Sequence, residues 1–338
     1  MSGIQTELIG SLPRPIGTTS QEQYLKVIVD ELAKTGSPII TDGEIWKPSF
    51  ATYPLDMNQF KPDGAVILFA DGHTRRLPVF SANRLVFGQY SGSYVKKLRN
   101  CCQDTPIKQA VISPSAISLM YPTAGIPGYS REKFLDEVID ECEKDIQSAF
   151  KEGASVVQVD ATELRLSLML DPSGALLDQM VKLNNRLFDR FTDEERKKIG
   201  IHTCPGSDQD STHSIIVDYG LLLPKFFKHN CGRFYLELAA EPDRERVLEI
   251  VSENLPATGI VFFGVIDPIE PRVETPEEVR DLVLQIARKI PVGRFGTCDD
   301  CGFSPFADDK STSFDLCMAK IQSRVDGTKM ASSQLGAK

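Results

Sequence analysis

Residues 131–160 read REKFLDEVIDECEKDIQSAFKEGASVVQVD, a long amphipathic segment followed by a short β-rich run. Apolar residues recur at helical spacing from Arg131 to Lys151, and Ser155–Asp160 is rich in valine. This order is typical of a crossover helix that leads into a parallel strand. Because the same order recurs along the chain, the sequence predicts an α/β protein with a parallel sheet.

The pattern predicts eight strands and several connecting helices. The predicted strands lie near Glu7–Gly10, Pro38–Asp42, Ile107–Ile112, Ser155–Asp160, Ile201–Thr203, Phe234–Leu238, Ile260–Val265 and Gly293–Thr297. The predicted helices are Arg131–Lys151, Pro172–Phe191, Asp210–Lys228, Pro242–Asn254 and Pro276–Lys289. Eight such strands fit a closed (β/α)8 TIM barrel, and 338 residues is an ordinary length for one. We therefore expect residues 1–338 to form a single barrel domain.

Two segments depart from this pattern. Residues 45–99 are too long for a βα loop and contain their own apolar runs, at Val66–Ala70 and Leu77–Phe80. We expect this segment to form a β-hairpin insertion over the barrel mouth, after the second strand. The polar stretch Lys329–Lys338 is expected to be a flexible tail.

The composition limits the partners of the chain. A formal charge of −9 and a pI near 5.1 argue against a surface that binds nucleic acid or anionic lipid. The sequence contains neither a signal-peptide pattern nor an apolar run long enough to span a membrane, so we expect a cytoplasmic protein. Its eight cysteines are dispersed through a long chain and are expected to be reduced thiols. Small-molecule chemistry is favoured.

A candidate metal site emerges from three predicted strand ends. His202 and Cys204 lie two residues apart and so point to the same side of a strand, and both are preferred zinc donors. Taken alone, this pair fits ordinary packing as well as metal binding. Glu237, however, ends an apolar strand, where an unpaired charge is costly, and Cys301 follows the last strand. The four side chains together would complete a tetrahedral zinc shell at one face of the barrel.

The order of several motifs resembles a known family, the catalytic C-terminal barrel of cobalamin-independent methionine synthase. The matching segments are Ile9–Pro15, Asp42–Glu44, Val157–Asp160, His202–Cys204, Leu236–Leu238, Gly264–Asp267 and Asp300–Gly302.

The resemblance implies a zinc ion held by His202, Cys204, Glu237 and Cys301. It also implies that Ser11 holds the carboxylate of homocysteine and that Glu44 and Asp160 bind its ammonium group. The alternative for these three residues is structural: a turn at Ser11, a local ion pair at Glu44 and a helix cap at Asp160.

Other positions depart from the family. The resemblance covers a single barrel, without the second barrel that helps to hold the folate donor. Met120 stands where the family has a tryptophan that meets the pterin, and Ile269 replaces its proton-carrying histidine. Asp267 and Glu270 are the candidates for that proton role. We therefore expect a methyl donor other than methylfolate, either a methylated corrinoid protein or a small methyl compound.

The sequence thus favours zinc-dependent methyl or alkyl transfer to a substrate thiol, most simply homocysteine or a similar amino-acid thiol. Two alternatives remain: an alkyltransferase like the epoxide-opening coenzyme M transferases, and a non-catalytic zinc-binding barrel. The acids Glu44 and Asp160 suit an ammonium group better than a sulfonate. Cys298, which forms a Cys-x-x-Cys pair with Cys301, is interpreted as a bystander, and His213 has no assigned role.

Overall fold

The computed structural model describes residues 3–14 and 20–337, so Pro15 of the matched Ile9–Pro15 segment lies outside the described residues. Its strands are β1 Gln5–Thr6, β2 Phe60–Lys61, β3 Val66–Leu68, β4 Thr74–Arg76, β5 Val79–Phe80, β6 Lys108–Ile112, β7 Val156–Asp160, β8 Ile199–Thr203, β9 Ser207–Asp208, β10 Ser211–Thr212, β11 Arg233–Leu236, β12 Ile260–Gly264 and β13 Phe295–Cys298. Its α-helices are α1 Gln21–Thr35, α2 Gly92–Arg99, α3 Pro114–Ser118, α4 Arg131–Lys151, α5 Glu163–Leu170, α6 Ala175–Phe188, α7 Asp193–Arg196, α8 Tyr219–Phe226, α9 Arg244–Asn254, α10 Pro276–Ala287 and α11 Phe314–Gln334. A short 3-10 turn, Met57–Gln59, precedes β2.

In the part of the chain that the structure describes, seven parallel strands form the central sheet, in the order β1-β13-β12-β11-β8-β7-β6. The first strand of the chain pairs with the last, which curls the sheet. Strands β6, β7 and β8 are buried along their whole length, as expected for parallel strands that are covered on both faces. The protein is therefore a mixed α/β fold built on a curled parallel sheet.

The predicted second strand, Pro38–Asp42, is reduced to a single parallel bridge between Ile40 and Ile107. Beyond the bridge the backbone leaves the extended conformation, because Gly43 and Glu44 have φ angles of 66° and 56°. The segment still lies between β6 and the chain that follows β1. The amide of Lys108 donates to the Ile40 carbonyl (2.9 Å), and the amide of Leu12 donates to the Gly43 carbonyl (2.9 Å).

Helix α4 spans the residues predicted for it, and Ser130 caps its amino end by accepting from the Lys133 amide. The helix predicted from Asp210 begins instead at Tyr219. The residues before it form the β9–β10 hairpin, because Gln209 and Asp210 adopt left-handed φ angles of 48° and 57° that make a tight turn. Asp218 then caps α8 through the Gly220 amide.

Residues 45–99 hold two small antiparallel pairs, β3 with β4 and β2 with β5. The last part of this segment is helix α2, which packs against α4 and so belongs to the helical layer. Its close approach to α4 uses Gly92, whose amide donates to Ser148 Oγ at 2.9 Å.

The predicted flexible tail, Lys329–Lys338, is helical over most of its length, because α11 continues to Gln334. Ala331 is buried, and Ser332 Oγ accepts a hydrogen bond from the Ile4 amide (3.1 Å). A polar stretch can therefore pack when its hydroxyls satisfy backbone groups of a neighbouring segment. Lys338 lies outside the described residues.

Among the described residues, no helix has both the length and the hydropathy needed to cross a membrane.

Helix α11 is tied to the sheet by a buried ion pair, which gives a test of the fold. The Arg324 guanidinium contacts Asp299 and donates to the Glu7 carbonyl (2.8 Å). Arg324→Ala would leave the buried Asp299 carboxylate without its cation, so we expect the free energy of unfolding to fall by about 3–5 kcal/mol in chemical denaturation. Arg190→Ala removes only exposed ion pairs and should change it by about 1 kcal/mol or less. Similar effects of the two substitutions would contradict this account.

Candidate metal centre and substrate pocket

Three of the four predicted metal ligands converge. His202 lies in β8, Cys204 is one residue beyond that strand, and Cys301 follows β13. Their ligand atoms all lie within 4.8 Å of one another, and all three residues are buried. Strands β8 and β13 are not neighbours in the sheet, so the curl of the sheet brings their ends together.

The two cysteines of this group face each other directly. Their Cα atoms are 5.9 Å apart, and their Sγ atoms are in contact. A metal ion takes cysteine as the thiolate, so metal binding and a disulfide are alternative states of this pair. Zinc binding therefore has to be examined on the reduced protein.

The donor set fits zinc. His202 Nε2 is buried and has no hydrogen-bond partner among the described residues, whereas Nδ1 lies 3.1 Å from Asp160 Oδ1. A proton on Nδ1 that is held by Asp160 leaves the Nε2 lone pair free for a metal, which is the usual arrangement of a metal-binding histidine. The Gly206 amide donates to Cys204 Sγ at 3.3 Å and stabilises a thiolate there. One imidazole and two sulfurs are preferred zinc donors, and three protein ligands leave a coordination position open.

Glu237, the fourth predicted ligand, lies outside this group in the described residues. Its Oε1 atom contacts Nη1 of the buried Arg165, whose Nη2 also lies 2.9 Å from Glu241 Oε1. Burial raises the pKa of Glu237, and the Arg165 charge opposes that rise. A carboxylate buried at this strand end requires a cation, and Arg165 supplies it.

Arg165 was missed because it lies within α5, outside every motif, so nothing in the local sequence marks it as the partner of a residue 72 positions away. Glu237 and Cys301 still line a common cavity of about 220 Å³, together with Asp267 and Ile269.

The three residues proposed to bind the amino-acid end of the substrate lie beside the candidate metal ligands. Ser11, Glu44 and Asp160 line one pocket together with His202 and Cys301. This arrangement places a hydroxyl and two carboxylates within the same cavity as the group that could hold a metal.

Each of these three side chains also has protein partners. Ser11 Oγ accepts from the Ser304 amide (3.2 Å), and Glu44 Oε2 accepts from the buried Lys47 ammonium (3.1 Å). Gln158 donates to Asp160 at 2.7 Å. These residues therefore make some structural contacts within the protein, as the alternative interpretation expects. Their side chains nevertheless line the pocket.

Glu44 is held in an unfavourable backbone conformation. Its φ of 56° is in the left-handed region, which costs a non-glycine residue about 1 kcal/mol or more. Asp42 Oδ1 accepts from the Glu44 amide (3.0 Å) and fixes the turn. Burial raises the pKa of Glu44, the charge of Asp160 raises it further, and Lys47 opposes both. Strain of this kind is found where the surrounding structure fixes a side chain for function.

The β3–β4 hairpin of the insertion forms the roof of the pocket. Ile67, Phe69 and Arg75 all face it. Arg75 Nη2 donates to Asp208 (2.9 Å), and the Ala70 amide donates to the Thr212 carbonyl (2.8 Å), so the hairpin is fastened to β9 and β10. An insertion over the mouth was predicted, but no roof residue was named, because long-range contacts of this kind leave no local signal.

The remaining sequence candidates lie around the site. Cys298 is buried next to Tyr235 and Phe262 in the sheet interior and is not part of the ligand group. Met120 is buried, and its carbonyl accepts from the Phe80 amide (2.7 Å), so the insertion covers it.

The fold and the site define an α/β protein with a curled parallel sheet and a buried His-Cys-Cys group at the strand ends. No protein-family model matches the chain. The chain is 22% identical to the methionine synthase of Thermococcus kodakarensis and 21% identical to that of Pyrococcus furiosus, each over 88% of this chain and 86% of the relative.

A similar fold occurs in the B12-independent methionine synthase from Shewanella sp. W3-18-1, solved in complex with selenomethionine. The TM-score is 0.77 at 18% identity, and the match covers 100% of both chains. These similarities confirm the resemblance to the cobalamin-independent methionine synthases.

The ligand group makes a direct prediction about metal binding. We expect reduced protein to bind one equivalent of zinc, and Cys204→Ser or Cys301→Ser to lower zinc affinity by more than about 100-fold, since even a residue that only orients a ligand contributes 10- to 100-fold. Metal analysis after dialysis measures this.

Two variants serve as controls for this experiment. Cys298→Ser and Glu237→Gln should keep their zinc, because neither side chain belongs to the group. Loss of zinc from Glu237→Gln alone would show that Glu237 leaves Arg165 to bind the metal. Full occupancy in both Cys204→Ser and Cys301→Ser would refute the site.

Proposed function

We propose that this protein is a zinc-dependent methyltransferase that methylates homocysteine or a closely similar amino-acid thiol. The observation that carries the proposal is that two of the metal-binding candidates, His202 and Cys301, line one pocket with the amino-acid-binding candidates. The curated relatives are methionine synthases, and the Shewanella structure contains selenomethionine, an analogue of the methylated product. Both facts support methyl transfer to this class of thiol.

In this proposal His202, Cys204 and Cys301 hold the zinc ion. Zinc bound there would lower the pKa of a coordinated substrate thiol, so that a thiolate is available at neutral pH. Glu44 and Asp160 bind the ammonium group of the substrate, and Ser11 contacts its carboxylate. The roof residues Ile67 and Phe69 exclude water from the pocket. Arg165 neutralises Glu237 beside the site.

Asp267 remains our candidate for proton transfer. It lines the cavity that also contains Cys301, and burial raises its pKa. A carboxyl group with a raised pKa can exchange a proton closer to neutral pH than an exposed aspartate can.

The donor in this proposal is not a folate. The resemblance places the pterin-binding tryptophan at Met120, and here the Phe80 segment of the insertion lies over that residue. A small methyl compound or a methylated corrinoid protein are the candidate donors. Incubation of the zinc-loaded protein with homocysteine and methyltetrahydrofolate should therefore yield no methionine by mass spectrometry.

The alternative functions predict other features of the pocket. A sulfonate thiol, as in the epoxide-opening coenzyme M transferases, requires a cation that is free to bind it. Arg75 faces the pocket but is engaged by Asp208 and Asp308. A purely structural zinc site has four protein ligands and no cavity beside it, whereas this group has three and adjoins two cavities.

The amino-acid end of the pocket can be tested by calorimetric titration of homocysteine into reduced, zinc-loaded protein. Glu44→Gln and Asp160→Asn each remove one charged partner of the ammonium group. The loss of such a partner typically costs about 1.5–3 kcal/mol, so homocysteine should bind roughly 10- to 100-fold more weakly.

Glu44→Gln is the cleaner variant, because Asp160 also contacts His202 and its substitution is expected to weaken zinc binding as well. Asp140→Asn, on an exposed face of α4, is the matched control and should bind as the wild type does. Equal homocysteine affinity in wild type and Glu44→Gln would contradict the proposal. A preference for 2-mercaptoethanesulfonate would then favour the coenzyme M type of reaction.

A further inference from the structure

His213 faces the substrate pocket but has no role in the proposed function. Its ring lines the same cavity as Ser11, His202 and Cys301. The Nδ1 atom is buried and has no hydrogen-bond partner among the described residues. A buried polar atom without a partner is unfavourable, so its retention beside a ligand cavity suggests a partner that arrives with the ligand.

The surrounding backbone fixes the position of this ring. Gly206, in the turn that follows Cys204, has a φ of 75°, and a Cβ atom at this position would collide with the imidazole. The amides of His213 and Ser214 both donate to the Pro205 carbonyl, at 3.0 and 3.1 Å. The Phe69 ring of the roof packs against the imidazole with centroids 5.4 Å apart. The ring is therefore held at the pocket from three sides.

The imidazole is neutral in this environment. Burial and the nearby Arg165 charge lower the pKa of His213 to about 4. At neutral pH the ring consequently offers one N–H donor and one acceptor nitrogen.

The ammonium and carboxylate groups of an amino acid have opposite charges and therefore need different partners in the pocket. Glu44 and Asp160 suit the ammonium group and would repel a carboxylate. The cation that faces the pocket, Arg75, is already engaged by two aspartates. A substrate carboxylate therefore needs neutral donors, and these must lie away from the two acids.

Such donors lie along one wall of the pocket, which runs from Ser11 to His213. Gly302 lies directly against the Ser11 hydroxyl, and Ser207 Oγ donates to the Gly302 carbonyl (2.6 Å). Gly206 precedes Ser207 and contacts the His213 ring. Ser11 and His213 are therefore the side chains at the two ends of this wall with donor capacity to spare for a ligand.

We propose that His213 donates an N–H hydrogen bond to the carboxylate of the bound amino-acid thiol and so selects substrates that carry a free carboxylate. This role rests on the proposed function and adds to it a determinant of substrate choice. A hydrogen bond to a charged acceptor is stronger than one between neutral groups, so the removal of this donor should have a measurable effect on binding.

The test compares two thiols by calorimetry on reduced, zinc-loaded protein. Homocysteine carries the carboxylate, and 3-aminopropane-1-thiol has the same thiol and ammonium groups without it. We expect His213→Phe, which keeps a ring of similar size, to bind homocysteine about 10- to 100-fold more weakly and to bind the aminothiol as the wild type does. His213→Gln, which keeps an N–H donor, should recover part of the loss. Zinc content and circular dichroism of each variant establish that the site and the fold are intact.

Three results would overturn the assignment. An unchanged affinity of His213→Phe for homocysteine would show that the ring does not bind substrate. An equal loss for both thiols would show that the ring only shapes the pocket. If wild-type protein binds neither thiol, the proposed function fails, and the role of His213 fails with it.

Discussion

The parallel pairing of β1 with β13 determines which residues meet at the carboxyl ends of the strands. Gln5 pairs with Gly296 and Thr6 with Thr297, which brings the two ends of the chain into register. Beyond the paired residues, the Phe303 amide donates to the Ser11 carbonyl at 3.2 Å. The Cys301 turn consequently lies beside the Ser11 segment, and a metal-binding candidate and a substrate-binding candidate share one pocket. Without the pairing of β1 with β13, Cys301 and Ser11 would not lie in a common site.

Buried carboxylates surround this pocket, and the structure provides each with cations or hydrogen-bond donors. Arg165 pairs with Glu237, Lys47 with Glu44, and three backbone amides donate to Asp300. Such groups are costly to bury unless they are paired or hydrogen-bonded. In contrast, Nε2 of His202 and Nδ1 of His213 are buried without partners among the residues that the structure describes. These two atoms, among several buried polar atoms without partners, lie where a metal and a substrate are proposed to bind.

Much of the fold could be predicted from the sequence, because its signals are local. The buried β-rich runs β6, β7 and β8 and the amphipathic helix α4 were placed within a few residues. The second predicted strand is reduced to a single bridge, because the left-handed residues Gly43 and Glu44 end it, and positive φ at Glu44 is not visible in its residue type. The sequence predicts a tail at the polar end of α11, because Ile4, whose amide donates to the Ser332 hydroxyl, is 328 residues away.

In the candidate site, too, features with a local sequence signal could be predicted, and features that depend on long-range contacts could not. His202, Cys204 and Cys301 were identified from their positions at strand ends, and the structure brings them together. Glu237 occupies a strand end as well, but its neighbour Arg165 comes from a helix whose orientation no motif reveals. The roof formed by Phe69 and Arg75 likewise depends on tertiary contacts. Residue type and spacing therefore identified the candidate ligands, whereas the pairing of charges required the structure.

The central claim is that a substrate thiol joins a metal ion held by His202, Cys204 and Cys301. Zinc-edge X-ray absorption of reduced, zinc-loaded protein, recorded with and without homocysteine, tests it most directly. The account predicts two sulfur neighbours without homocysteine and a third at about 2.3 Å when homocysteine is saturating. A zinc shell that is unchanged by saturating homocysteine would contradict the account.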